Sequence, residues 1–116
     1  MSRDYRLYLD DMRAAAEKVL RFTQGVDLTR FVDDERTFDA VVRNLEVIGE
    51  AAKHVPTEVQ ARYPGVEWRS IAGLRDIVAL EYFGIDEDIL WDIIEHQVPD
   101  LLTQVRQILE REGFEE

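Results

Sequence analysis

The stretch Phe38-Asp39-Ala40-Val41-Val42-Arg43-Asn44-Leu45-Glu46-Val47-Ile48-Gly49-Glu50-Ala51-Ala52 decides the fold. Phe38, Val41, Val42, Leu45, Ile48, Gly49 and Ala52 recur at three- and four-residue steps, the spacing that puts side chains on one face of an α-helix. Strand-like alternation is absent. Gly49 and Ala52 are small, so this face lets a second helix approach closely. The helix is expected to begin near Asp34 or Glu35 and to stop before Pro56, whose ring disfavours a helical residue ahead of it.

The same period extends outward. Leu7, Tyr8, Met12, Ala15, Val19 and Phe22 predict a first helix of about 20 residues, closed by Gly25. A short polar connector is expected from Val26 to Asp34. Downstream, Thr57 can cap one short turn, Glu58 to Tyr63, closed by Pro64-Gly65. A third helix runs from about Glu67 through Trp68, Ile71, Leu74, Val78 and Ala79 to a break at Tyr82-Phe83-Gly84. Asp86 is the expected N-cap of a long fourth helix, whose stripe is Ile89, Leu90, Ile93, Ile94, Leu101, Leu102, Val105, Ile108 and Leu109. Pro99 interrupts that stripe and predicts a kink. With no repeat, linker or low-complexity segment, the expectation is all-α: an antiparallel four-helix up-and-down bundle, one domain over residues 1–116.

A chain of 116 residues suits a single core, and 46% apolar with 34% charged residues is a globular rather than a disordered balance. The absence of cysteine excludes disulfides and thiolate metal sites. With no apolar signal segment at the N-terminus, a cytoplasmic setting is expected. The apolar runs are too short for a membrane helix. Twenty-five acidic residues against fourteen basic ones give a net charge of -11. That argues against tight non-specific binding along a duplex but leaves room for a local positive cleft.

Generic catalytic motifs are scarce: no Gly-rich phosphate loop, zinc helix or EF-hand loop is present. His54 falls at a helix C-terminus, where a cation complements the dipole. His96 falls on the polar side of the last helix beside Glu95, and neither histidine has companions at metal-ligand spacing. Glu46 and Glu50 are four apart and share a helix face. They suit acid–base work or a metal, or an ion-pair ladder with Arg43 and Lys53. Trp68 and Trp91 read as core or dimer-interface residues rather than base-stacking platforms.

The segment Gly73-Leu74-Arg75-Asp76-Ile77-Val78-Ala79-Leu80-Glu81-Tyr82-Phe83-Gly84-Ile85-Asp86 resembles the signature of the HepT-like branch of the HEPN superfamily: Arg, four residues, His, one residue, Tyr. Arg75 and Tyr82 match, and Leu80 stands where the family has histidine. The blocks Arg43 to Ala51, Trp68 to Asp76 and Leu90 to Ile94 resemble the family's flanking signatures, in order and at the right distances.

The resemblance implies a dimeric HEPN bundle that cleaves RNA without metal or cofactor, as the toxin of a toxin–antitoxin pair. It also implies an MntA-type nucleotidyltransferase partner that transfers AMP to Tyr82. Arg75 would bind the phosphate, Tyr82 would hydrogen-bond the phosphate or the imidazole, and Asp76 and Glu46 would be supporting residues. Leucine cannot carry a proton. The chain is therefore expected to cleave RNA poorly or not at all, a loss of about 10²- to 10⁴-fold. Glu81 is adjacent, but its carboxylate is expected to point elsewhere. Leu80 reads as natural decay of the site or as a recent change that silences a lethal toxin, and the intact surroundings favour the second. The alternative function is a non-catalytic helical dimer that binds a nucleotidyltransferase or nucleotide.

On a regular helix, position 80 lies roughly 140° round from Arg75, which shares a face with position 82. Convergence of the three requires the helix to distort or end near Ala79, or a two-fold dimer that lines one cleft from both subunits.

Overall fold

The computed structural model describes residues 3–81 and 87–114, the side chains of 79–81 excepted. The Asp4 carboxylate accepts from the Arg6 N–H and opens α1, Tyr5–Thr23. Gly25, at φ +73°, turns the chain away, a conformation that costs glycine little. Leu9, Met12, Ala16 and Val19 are fully covered, whereas Leu7 is 37% exposed. Leu7 lies roughly 200° round the helix from Leu9, so both cannot face the core.

The connector expected to be polar and irregular is instead a helix, α2, Leu28–Asp33, capped by the Asp27 carboxylate. Its Phe31 is buried, with its ring 5.2 Å from those of both Phe38 and Trp91. Burying such a side chain contributes about 1.5–3 kcal/mol. Packing of this kind holds a helix too short to persist alone. Asp34 then caps α3, Glu35–Lys53, accepting from the Thr37 N–H and hydroxyl.

Helix α4 is Thr57–Arg62, and Thr57 is its first residue rather than its cap. The cap position falls on Pro56, whose carbonyl takes the Val59 and Gln60 N–H groups. The expected third helix is divided at Gly73 into α5, Trp68–Ala72, and α6, Leu74–Glu81. The Gly73 N–H donates to Arg69, while its carbonyl accepts from Asp76 and Ile77, so one residue ends α5 and starts α6. The expected break at Tyr82-Phe83-Gly84 and the Asp86 cap lie outside the described residues. After them come α7, Glu87–Asp92, a π-helical turn, Ile93–Gln97, and α8, Val98–Arg111. The irregularity expected at Pro99 takes the form of that π turn, in which the Val98 N–H reaches back to Ile93. Proline offers no N–H to the Glu95 carbonyl and crowds it, and a widened turn relieves the conflict.

Cross-helix pairs fix the topology. Tyr8 near the start of α1 stacks on His54 after the end of α3. Tyr5 meets Glu112 while Glu17 faces Arg106. Both α3 and α8 are therefore antiparallel to α1, and α5 and α6 return the chain between them. The result is the all-α up-and-down bundle read from periodicity, with no strand among the described residues. Trp68 is buried and donates from Nε1 to the Tyr63 carbonyl, and Trp91 packs on Phe31. Trp68 thus belongs to the core, and the partly buried Trp91 packs against it. No described helix is long and apolar enough to cross a membrane.

Glu112 ties three helices together. It accepts from the Tyr5 and Tyr63 hydroxyls and from Arg62 at 2.8 Å, with its side chain only 10% exposed. The two tyrosine hydrogen bonds, with Arg62 and Arg6 behind them, outweigh desolvation and hold its carboxyl below the usual carboxylate range. A carboxyl depressed in the folded state stabilises above its unfolded pKa and loses that contribution as pH falls through the folded one. Glu112→Gln is therefore expected to cost about 1–3 kcal/mol at neutral pH, with a shallower loss of stability on acidification. Thermal melts of both proteins between neutral and acid pH check this, and parallel curves would refute it.

Candidate active site

The placement of Arg75 begins with Gly49. A Cβ built on Gly49 would stand 2.9 Å from the Arg75 backbone nitrogen and 3.3 Å from the Ala72 carbonyl oxygen. The α5–α6 junction thus rests directly on α3, with no room for a methyl group. Arg75 is thereby set beside Glu50, the residue after Gly49, and its Nη1 donates to Glu50 Oε2 at 2.8 Å. The other oxygen, Oε1, lies 3.4 Å from His54 Nε2. One carboxylate therefore bridges the arginine and the histidine.

The His54 ring stacks on Tyr8 with centroids 4.8 Å apart and planes 17° from parallel. The Arg3 guanidinium lies 4.6 Å from the Tyr8 centroid and pairs with Asp11 at 2.7 Å. Along α3, Arg43 and Glu46 form a loose pair at 3.7 Å. All of these groups line one cleft of about 410 Å³ between α1, α3 and the start of α6. Desolvation pushes Glu50 up, but the His54 hydrogen bond and the charges of Arg75 and Lys53 outweigh it and lower its pKa. The Arg75 side chain is 55% exposed. Its guanidinium can offer parallel donors to a phosphate while Glu50 holds one edge.

Of the site residues that the resemblance implies, the structure brings Arg75 and Glu46 into this cleft. Asp76 is exposed in the first turn of α6 and is not among the lining residues. Position 80 lies within α6, which stays α-helical to Glu81. An end near Ala79, one of the conditions for convergence, is therefore not met, and position 80 remains roughly 140° round the helix from Arg75. Tyr82 lies outside the described residues.

The ion-pair ladder holds for Arg43 and Glu46. Glu50 pairs with His54 and Arg75, and Lys53 acts on it only through its charge. His54 does more than follow a helix end, because its ring is part of the cleft. His96 pairs with Asp92 at 2.9 Å on an exposed surface. Arg3, Tyr8 and the Glu50–Arg75 pair were not foreseen. Only the i, i+4 spacing of Glu50 and His54 was a local signal. Among the described residues no group of His, Asp and Glu is arranged to hold a metal ion.

These features define an all-α bundle with an arginine set over a polar cleft. Within that class, the chain belongs to the HepT-like ribonuclease family, whose profile matches residues 12–108. The probable ribonuclease HepT of Thermococcus cleftensis is 37% identical over 101 residues, which covers 87% of this chain and 92% of the relative. A protein of Methanocaldococcus jannaschii, provisionally named an RNase, is 37% identical over 107 residues, 92% of this chain and 88% of its own. Another so named, from Caldanaerobacter subterraneus, is 38% identical over 107 residues, 92% of this chain and 96% of its own. No solved structure gives a significant match to the chain.

Because the nearest atom that would meet a Cβ at position 49 is the Arg75 backbone nitrogen, Gly49→Ala is expected to destabilise the fold by about 1–3 kcal/mol through overpacking. Calorimetry or thermal circular dichroism measures the loss, and an unchanged midpoint would show that the junction yields freely.

Proposed function

We propose that this chain is the ribonuclease toxin of a HepT/MntA-type toxin–antitoxin pair, silenced by leucine at its proton-transfer position. The observation that carries the reading is Arg75, a half-exposed guanidinium fixed at the lip of a cleft inside the family-matched region. In the reaction, the RNA 2′-oxygen attacks the adjacent phosphorus and the bond to the 5′-oxygen breaks. The 2′-hydroxyl gives up a proton and the leaving oxygen gains one. Arg75 stabilises the charge that develops on the phosphate, with Tyr82 hydrogen-bonding it and Glu46 and Asp76 in support. A histidine at position 80 would move the protons, because its pKa lies near neutrality. Leucine does neither, which lowers the rate by about 10²- to 10⁴-fold.

The separation of Arg75 and position 80 round α6 supports action as a two-fold homodimer, with Arg75 of one protomer and position 80 of the other facing one RNA. The partner is an MntA-type nucleotidyltransferase that places AMP on Tyr82. The adduct adds bulk and a negative phosphate close in sequence to Arg75, in competition with RNA. Leu80 itself favours the second reading, a non-catalytic module that binds the nucleotidyltransferase.

Leu80→His is expected to raise RNA cleavage at least about 100-fold, and adding Arg75→Ala should abolish the gain. A Leu80→His protein that leaves every RNA intact would favour the non-catalytic reading. Co-expression with the nucleotidyltransferase should yield an AMP adduct on Tyr82 by mass spectrometry, and an unmodified tyrosine beside an active partner would exclude that role.

A further inference from the structure

We infer that the cleft beside Arg75 seats one nucleotide unit, its base against the His54–Tyr8 stack and its phosphate between Arg75 and Arg43. This rests on the ribonuclease reading and adds to it a subsite and the residues that recognise the ligand. The cleft, at about 410 Å³, falls in the size range of small-molecule sites, about 300–1,000 Å³.

Its charge sets it apart from the rest of the chain. Three arginines, Arg3, Arg43 and Arg75, face three carboxylates, Asp11, Glu46 and Glu50, so the fixed charges lining it cancel while the whole chain carries -11. An anion repelled by most of this surface is therefore tolerated here.

The cleft also has two chemically distinct ends. At one, Tyr8 and His54 lie nearly parallel, and the Arg3 guanidinium steadies Tyr8. The His54 side chain is 50% exposed, which leaves flat π surface for a base to join. At the other end, the side chains of Arg75 and Arg43 are 55% and 73% exposed. Glu50 spans the two ends, touching both His54 and Arg75. A flat aromatic end and a guanidinium end on one cleft match a base joined to a phosphate, and neither inorganic phosphate nor an apolar ligand uses both.

The same chemistry arises from a free nucleotide or from one residue of an RNA strand, and the test separates them. Calorimetric titrations of the intact chain would use 5′-AMP, inorganic phosphate, and a 2′-O-methyl RNA hexamer that cannot be cleaved. Binding of AMP should exceed that of phosphate and weaken with salt. His54→Leu should weaken AMP about 5-fold or more while leaving phosphate unchanged, and Arg75→Ala should weaken both. Arg43→Ala, at an exposed position that folding does not need, should also weaken both.

Hexamer binding that AMP displaces identifies the strand as the source, whereas AMP binding alone identifies a mononucleotide site. AMP no tighter than phosphate, or AMP binding indifferent to His54→Leu in a protein with an unchanged melting midpoint, would overturn the subsite. Cleavage by Leu80→His is read separately. Cleavage without these binding effects overturns the subsite alone, and the binding effects without cleavage overturn the ribonuclease reading while the subsite stands.

Discussion

The close approach of the α5–α6 junction to Gly49 is the constraint on which the site depends. Helices normally stand apart by the width of their side chains, and a glycine removes that spacer at one point. Here it lets the Arg75 backbone come so near α3 that even a methyl group would collide. The arginine then has little freedom in where it emerges, and the next residue of α3, Glu50, receives it. Packing, through one missing Cβ, therefore sets the position of a charge. The division of the helix at Gly73 belongs to the same arrangement, because it lets the chain change course where it meets α3.

Much of this was legible in the periodicity. The stripes of α1, α3 and α8 reported the buried faces, and Asp34 and Gly25 marked helix ends by mechanisms that act within a few residues. What escaped was set by contacts distant in sequence. Helix α2 has a single turn of apolar spacing, Leu28, Phe31 and Val32, and depends on Phe31, whose partners Phe38 and Trp91 lie on other helices. The π turn at Ile93–Gln97 answers the known demand of Pro99, but the form of the answer depends on keeping Leu90, Ile94 and Val98 inside the core.

The site divides in the same way. Arg75 and Glu46 could be picked out because each belongs to a segment with a recognisable pattern. Glu50 was read as a partner of Lys53, the cation at helical spacing, whereas a cation from another helix takes it at 2.8 Å. Arg3 and Tyr8 come from the start of α1, which the antiparallel packing carries to the end of α3. No local spacing predicts such a meeting. It follows only once helix directions are known.

Magnitudes help to decide what Arg75 is for. An ion pair between side chains as exposed as Arg75 and Glu50, at 55% and 48%, contributes about 0–1 kcal/mol to stability. The overpacking avoided by Gly49 is worth more, about 1–3 kcal/mol, and it acts through the Arg75 backbone, which any residue would supply. Neither term calls for a guanidinium. Anion binding does, because a planar fork held on one edge keeps its remaining donors aimed into the cleft.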